Sequence, residues 1–132
     1  MNRIAHIKNS LALQTIAMPC NTNANGDIFG GWIISQMDLG AAVIAQTISK
    51  SKVVTVAIDS IKFTHPVAVG DIVSCHGTIQ HIGRTSMRIK MECYIRRNNI
   101  HRKVTDGTFT FVAISSETQK PHPIFPHKPQ LE

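Results

Sequence analysis

The sequence predicts an α+β domain in which one long central helix is wrapped by a curved antiparallel sheet of five to six strands. Three observations carry that expectation. Residues from Gly31 to about Ile48 form a nearly continuous apolar stretch of helical periodicity; four β-rich runs follow it; and one short apolar run precedes it. A chain of 132 residues has the length of one domain and buries roughly two-thirds of the surface its unfolded form exposes.

In chain order, residues 10–17, "SLALQTIA", suit a short first strand. In "GWIISQMDLGAAVIAQTI", a turn of about 100° per residue places Ile33, Ile34, Met37, Ala41, Ile44 and Ile48 on one face. Gly31, Ser35, Asp38, Ala42 and Ala45 fall opposite. Apolar or small residues occupy almost the whole circumference, which predicts a helix enclosed by other structure. After Lys52 come runs at about 53–64, 71–82, 84–97 and 103–114. The third is the clearest: Thr85, Met87, Ile89, Met91, Cys93 and Ile95 alternate with Ser86, Arg88, Lys90, Glu92, Tyr94 and Arg96. Period two means one buried face and one wet face. Gly83 and Asn98-Asn99 supply turns, and Pro66 and Gly70 punctuate the first two runs, so antiparallel neighbours are expected. A curved sheet covers such a helix best, and its open edge and remaining apolar surface call for a second copy of the chain.

The C-terminal "KPHPIFPHKPQLE" holds four of the six prolines. Proline neither donates to a ladder nor continues a helix. The domain is therefore expected to span residues 1–116, with 117–132 as an extended Pro-rich tail. The cysteines, Cys20, Cys75 and Cys93, are odd in number and lack C-x-x-C spacing, which fits reduced thiols in a cytosol. No charged-then-apolar leader and no membrane-length apolar run is present, so a cytoplasmic protein without membrane partners is expected. A formal net charge of +6 favours an anionic partner, be it nucleic acid, a membrane surface or a phosphate-bearing small molecule, over a merely soluble basic protein only weakly. The histidines show no H-E-x-x-H and no i, i+4 pair, so no metal site is expected. P-loop, G-x-G-x-x-G and G-x-S-x-G patterns are absent, which disfavours nucleotide hydrolysis and serine-triad chemistry.

Four pieces remain: "NANGDIFGGW" opening the helix, Asp38 two turns in, "VTVAIDSIKFTHPVAVGD", and "GRTSM". In that order, over about residues 10 to 115, they resemble the hotdog-fold acyl-CoA thioesterases, the bacterial YciA-type enzymes in particular. The resemblance implies a hotdog fold and hydrolysis of a coenzyme A thioester without metal or other cofactor. It also implies a homodimer whose sites are shared across the interface, often as a trimer of dimers. His65 departs from the basic or polar residue expected there and is given no role.

Thioester hydrolysis needs an activated water and donors aimed at the carbonyl oxygen as it becomes negative. A helix N-terminus offers unpaired N–H groups, and Gly30 and Gly31 let a substrate approach them; their alternative role is a tight turn and close packing. Asp38 is a carboxylate among aliphatic side chains, a placement that persists when the group is paired or useful. By resemblance it is the catalytic acid, as general base or nucleophile; the alternative is an interface acid with no chemical task. Gly31 and Asp38 lie about 10 Å apart along the helix axis, so a two-fold partner's Asp38 is better placed to meet these N–H groups. The site is expected to be composite.

Ser35 is a candidate hydrogen-bond donor to Asp38 or a self-capping serine. Asp27 is a candidate N-cap or catalytic group, and Asn25 a turn residue or a water-positioning one. By resemblance Arg84, Thr85 and Ser86 line the coenzyme groove, where arginine binds phosphate bidentately. Val54, Thr55 and Val56 are expected to meet the pantetheine arm through an edge-strand backbone. Two other functions compete: a hotdog hydratase or dehydratase, which needs a histidine where the helix start has Phe29, and a non-catalytic module binding acyl-CoA or nucleic acid. Aromatic residues make up only 5% of the chain, too few for base-stacking platforms, so no nucleic-acid partner is expected.

Overall fold

The computed structural model describes residues 7–124. Among them are β1 (Ser10–Ile16), α1 (Gly30–Ser49), β2 (Lys52–Phe63), β3 (Ile72–Ile82), β4 (Ser86–Arg97) and β5 (Ile100–Ile114), with a 3-10 turn over Pro19–Asn21. The five strands join in the order β1-β3-β4-β5-β2, each neighbour antiparallel. Helix α1 lies across one face and touches all five strands. This is the hotdog arrangement expected, with every anticipated element within three residues of its place.

Helix α1 ends where Lys50 turns into the left-handed region at φ 53°, its N–H donating to the Gln46 carbonyl at 2.7 Å. Ile33, Met37, Ala41, Ile44 and Ile48 are buried against Met87, Ile89, Met91, Cys93, Phe109 and Phe111. Two glycines set how closely helix and sheet approach. A Cβ on Gly77 would run into the Ile44 side chain, and one on Gly40 would lie 3.2 Å from Met91 Cε. The alternation in β4 is as anticipated: Met87, Ile89, Met91, Cys93 and Ile95 point inward, while Arg88 and Arg96 are exposed. Cys75 and Cys93 face each other across β3 and β4, both buried as free thiols. A hydrogen bond between the Cys93 thiol and Cys75, together with burial, pushes Cys93 far up, so the Cys93 thiol stays un-ionised and unreactive.

The helix keeps uncovered apolar surface of the kind for which a second copy of the chain was expected. Within a single protomer it is not enclosed on all sides: Leu39 and Val43 are 55% and 51% exposed. Ala45, assigned by its angle to the opposite side, is fully buried, because it stands only about 40° round the helix from Ala41. β2 is one of the sheet's two edge strands, and Val54, Val56 and Ile58 are exposed along it. An apolar edge of this kind is covered in native proteins.

The C-terminal segment also differs. Residues 117–124 do not run free as an extended tail. The Ser115 N–H donates to Lys120 O, His122 N–H to Ala113 O and Ile124 N–H to Arg84 O, all within 2.9 Å. Ile124 is 1% exposed and belongs to the core. Prolines permit this because Pro121 and Pro123 alternate with the donating residues, occupying positions whose N–H would face away from the sheet. The rest of the anticipated tail, 125–132, and the first six residues of the anticipated domain lie outside the described residues.

The "VAVGD" punctuation has a structural purpose. Asp71, 2% exposed, accepts from Arg97 Nε at 2.7 Å, Arg97 Nη2 at 2.6 Å and the Ala68 N–H at 2.9 Å. It thereby ties the turn before β3 to the end of β4. Burial raises the Asp71 pKa, but the Arg97 and Ala68 hydrogen bonds and the Arg97 charge outweigh it, and the net shift is downward. A lowered folded-state pKa stabilises above the unfolded value and loses that stabilisation as pH falls through the folded one. Asp71→Asn is expected to lower Tm by about 5 °C at neutral pH. Thermal melts at stepped pH should show this gap from wild type closing below about pH 4; a gap unchanged at low pH would contradict the pairing.

Candidate active site

The helix start is shaped by a side chain the sequence reading passed over. Asn23 Oδ1 accepts from the N–H groups of Asn25 at 2.9 Å and Asp27 at 3.1 Å, while Asn23 N–H donates to Asp27 O at 2.7 Å. Gly26 completes the turn at φ 84°, a conformation that suits glycine. Two asparagines in "NANG" signalled a turn; the two-residue offset of an Asx turn identifies Asn23 as its centre. Asn25 is an exposed member of this turn.

Asp27 is not the N-cap. Phe29 holds that position, with no side-chain cap. Asn23 instead spends the Asp27 N–H on the turn, leaving its exposed carboxylate in an open cleft of about 330 Å³ with Gly30, Ile33, Phe63 and His65. No described residue accepts from the N–H of Gly30 or Gly31 outside the helix, as expected for the first helical positions. The two glycines differ in surroundings. A Cβ on Gly30 would lie 3.1 Å from the Phe63 ring, whereas one on Gly31 meets nothing within 4 Å. Gly30 accommodates the ring, and Gly31 presents open backbone.

Asp38, partly buried on α1, accepts a hydrogen bond at Oδ1 from Thr55 Oγ1 at 2.8 Å. Its Oδ2 has no partner among the described residues. Ser35 does not join it: Ser35 Oγ donates to Trp32 O at 2.7 Å, the self-capping alternative. Thr55, expected to offer only backbone to a substrate arm, is thus the residue that orients the acid. It can do so because Thr55 shares the helix-facing side of β2 with Val53 and pairs with buried Phe111, just before a bulge at Val56 where pairing steps from Thr55↔Phe111 to Ala57↔Thr110. Val54, Thr55 and Val56 are all exposed along this free edge.

Arg84, Thr85 and Ser86 form the turn into β4. Ser86 and Val54 flank Val112 from opposite sides, and Met87 and Thr55 flank Phe111. The turn therefore stands about 10 Å from the acid's partner, two strand spacings away. Arg84 is exposed, and its guanidinium makes no hydrogen bond or ion pair with a described residue. Sheet and helix bring together Asp38, Thr55 and the Arg84 turn; they leave Gly30 and Gly31 two helical turns away, within one protomer. Thr55→Val is expected to lower kcat about tenfold with KM and Tm little changed, since one neutral-to-charged hydrogen bond is lost and the shape is kept. Equal kinetics for wild type and variant would deny Thr55 this part.

No three His, Cys, Asp or Glu side chains among the described residues converge to hold a metal ion. No described helix is long and apolar enough to cross a membrane.

A single helix on a five-stranded antiparallel sheet, with an acid at the helix–edge junction, defines the hotdog thioesterase class. The profile of the thioesterase superfamily matches residues 25–99, and the chain belongs to that family. It is 49% identical over 114 residues to an uncharacterized acyl-CoA thioester hydrolase of Haemophilus influenzae, covering 83% of this chain and 74% of that one. It is 44% identical over 112 residues to the acyl-CoA thioester hydrolase YciA of Escherichia coli K12, covering 81% and 85%. Among solved structures, an Asp-to-Ala mutant of HI0827, a hexameric broad specificity acyl-coenzyme A thioesterase, superimposes with a TM-score of 0.88 at 44% identity, covering 93% and 91%.

Proposed function

We propose that this chain hydrolyses acyl-CoA to a free acid and coenzyme A, and that each site is built from two protomers. The observation that carries the reading is the Asp38–Thr55 hydrogen bond. It fixes an acid beside an uncovered apolar edge, facing the place a second copy would occupy. Asp38, with Oδ2 free, activates water or attacks the thioester directly. The N–H groups of Gly30 and Gly31 in the partner receive the developing oxyanion. This division of labour needs no metal and no cofactor, because the water-activating group is a protein carboxylate.

Arg84 takes a coenzyme phosphate, Thr85 and Ser86 contribute hydroxyls, and the Val54–Val56 edge meets the pantetheine arm. Asn23 and Asn25 hold the helix start in register, and Asp27 lines the cleft beside it. Pairing across β2, with Leu39 and Val43 covered, makes the dimer; the hexameric state of HI0827 supports three such dimers per particle. Free Cys75 and Cys93 suit a reducing cytoplasm.

Thiol release from a panel of acyl-CoA chain lengths tests the proposal. Turnover of at least one member is expected, and none across the panel would overturn it. The hydratase reading has one point in its favour: His65 shares the cleft with Asp27. The two form no hydrogen bond or ion pair, and loss of enoyl-CoA absorbance without thiol release would be needed to revive that reading.

A further inference from the structure

We infer that residues Lys120–Ile124 form a strap that positions the coenzyme-binding turn, with Ile124 as its anchor. This rests on the reading that Arg84–Ser86 bind coenzyme A. Each carbonyl of that turn is held by a different element. Ser86 O accepts from Gly83 N–H at 2.8 Å and Thr85 O from Ala113 N–H of β5 at 2.8 Å. Arg84 O accepts from Ile124 N–H of the strap at 2.9 Å. Of the three, only the Arg84 bond depends on a segment beyond the sheet.

The strap is fastened at both ends. At its start, Pro121 bridges Ile114, and the Gln119 side chain accepts from Lys52 Nζ at 2.9 Å. In its middle, His122 N–H meets Ala113 O, the residue whose own N–H holds Thr85. At its end the Ile124 side chain is sunk in the core at 1% exposure. The Arg84 guanidinium, by contrast, projects from this braced backbone without a partner among the described residues. A cation on a fixed backbone loses less freedom when it takes a phosphate than one on a loose turn, so bracing converts directly into affinity for the nucleotide end of the substrate. Ile124 is thus a positioning residue; it touches neither substrate nor reacting atoms.

The experiment compares acyl-CoA with the same acyl thioester of N-acetylcysteamine, which lacks the phosphates. In Ile124→Ala, KM for acyl-CoA is expected to rise about tenfold with kcat within about twofold, while kcat/KM for the short thioester stays within about twofold. Arg84→Ala should reproduce the effect, the double variant should add nothing further, and Ile124→Val should restore most of the loss. A parallel fall on both substrates, an additive double variant, or an unmoved KM would overturn the inference. If Ile124→Ala does not fold, hydrogen exchange on the wild-type protein decides: coenzyme A should slow exchange at the Ile124 amide, and no slowing at saturating coenzyme overturns it. Wild-type protein that turns over acyl-CoA without these effects refutes the strap alone, whereas wild type with no turnover refutes the hydrolase reading and the strap with it.

Discussion

An Asp38→Asn protein is expected to fold, assemble and bind coenzyme A, yet to release thiol from acyl-CoA about a thousandfold more slowly in kcat, within the range positioned acid–base groups contribute. The amide keeps the shape of the carboxylate, and its oxygen still accepts from Thr55 Oγ1, which lies 2.8 Å from Asp38 Oδ1. What it loses is the ability to take a proton from water or to attack a carbonyl. Binding should survive because the phosphates of coenzyme A are assigned to the Arg84 turn, about two strand spacings away. Steady-state thiol release, paired with calorimetric titration of coenzyme A, checks both halves. Retained turnover would return Asp38 to the role of an interface acid; lost binding together with lost folding would make it structural.

The second large effect belongs to Gly31. A methyl group there meets nothing within 4 Å in the protomer, so Gly31→Ala should fold, and alanine favours a helix over glycine by up to about 1 kcal/mol. Activity is nevertheless expected to fall about a hundredfold, the magnitude lost when one oxyanion donor is displaced. Stability held and turnover lost is a combination that a packing role cannot produce. Gly30 is a less clean test, because its Cβ would lie 3.1 Å from Phe63 and displace the ring. Wild-type kcat in Gly31→Ala, on protein of unchanged Tm, would remove the helix start from the mechanism.

The arrangement of strands and helix was readable because it rests on periodicity. The alternation in β4 and the apolar stripe of α1 are local patterns, and burial follows them. The candidate acid was readable as an anomaly, a charge inside an apolar run. Relations between distant residues were not. Thr55 stands on the helix-facing side of β2, but which helix residue it meets depends on how α1 crosses the sheet, and no local pattern fixes that crossing. Asn23 and Asn25 look alike in "NANG", and the turn's hydrogen bonds alone separate them. Asp27 reads as a cap by residue type, but Asn23 takes its N–H and the N-cap position falls two residues later, at Phe29. Proline content suggested a loose tail beyond Ser116; it was the alternation of Pro121 and Pro123 with donating residues, rather than their number, that mattered. The open stripe of Leu39 and Val43, by contrast, is apolar surface of the kind the helix pattern marked for cover by a second copy.

Subunit mixing tests the shared site most directly. Asp38→Ala and Gly31→Ala proteins, each nearly inactive, are combined in equal amounts under conditions that allow protomers to exchange, and thiol release is followed over time. If each site takes its acid from one chain and its N–H donors from the other, random re-pairing makes half the dimers mixed, and each mixed dimer carries one intact site. Activity should climb to about a quarter of the wild-type value per protomer. A mixture that stays at the level of its two components, after exchange has been demonstrated by differently tagged chains, would mean that acid and donors belong to the same protomer.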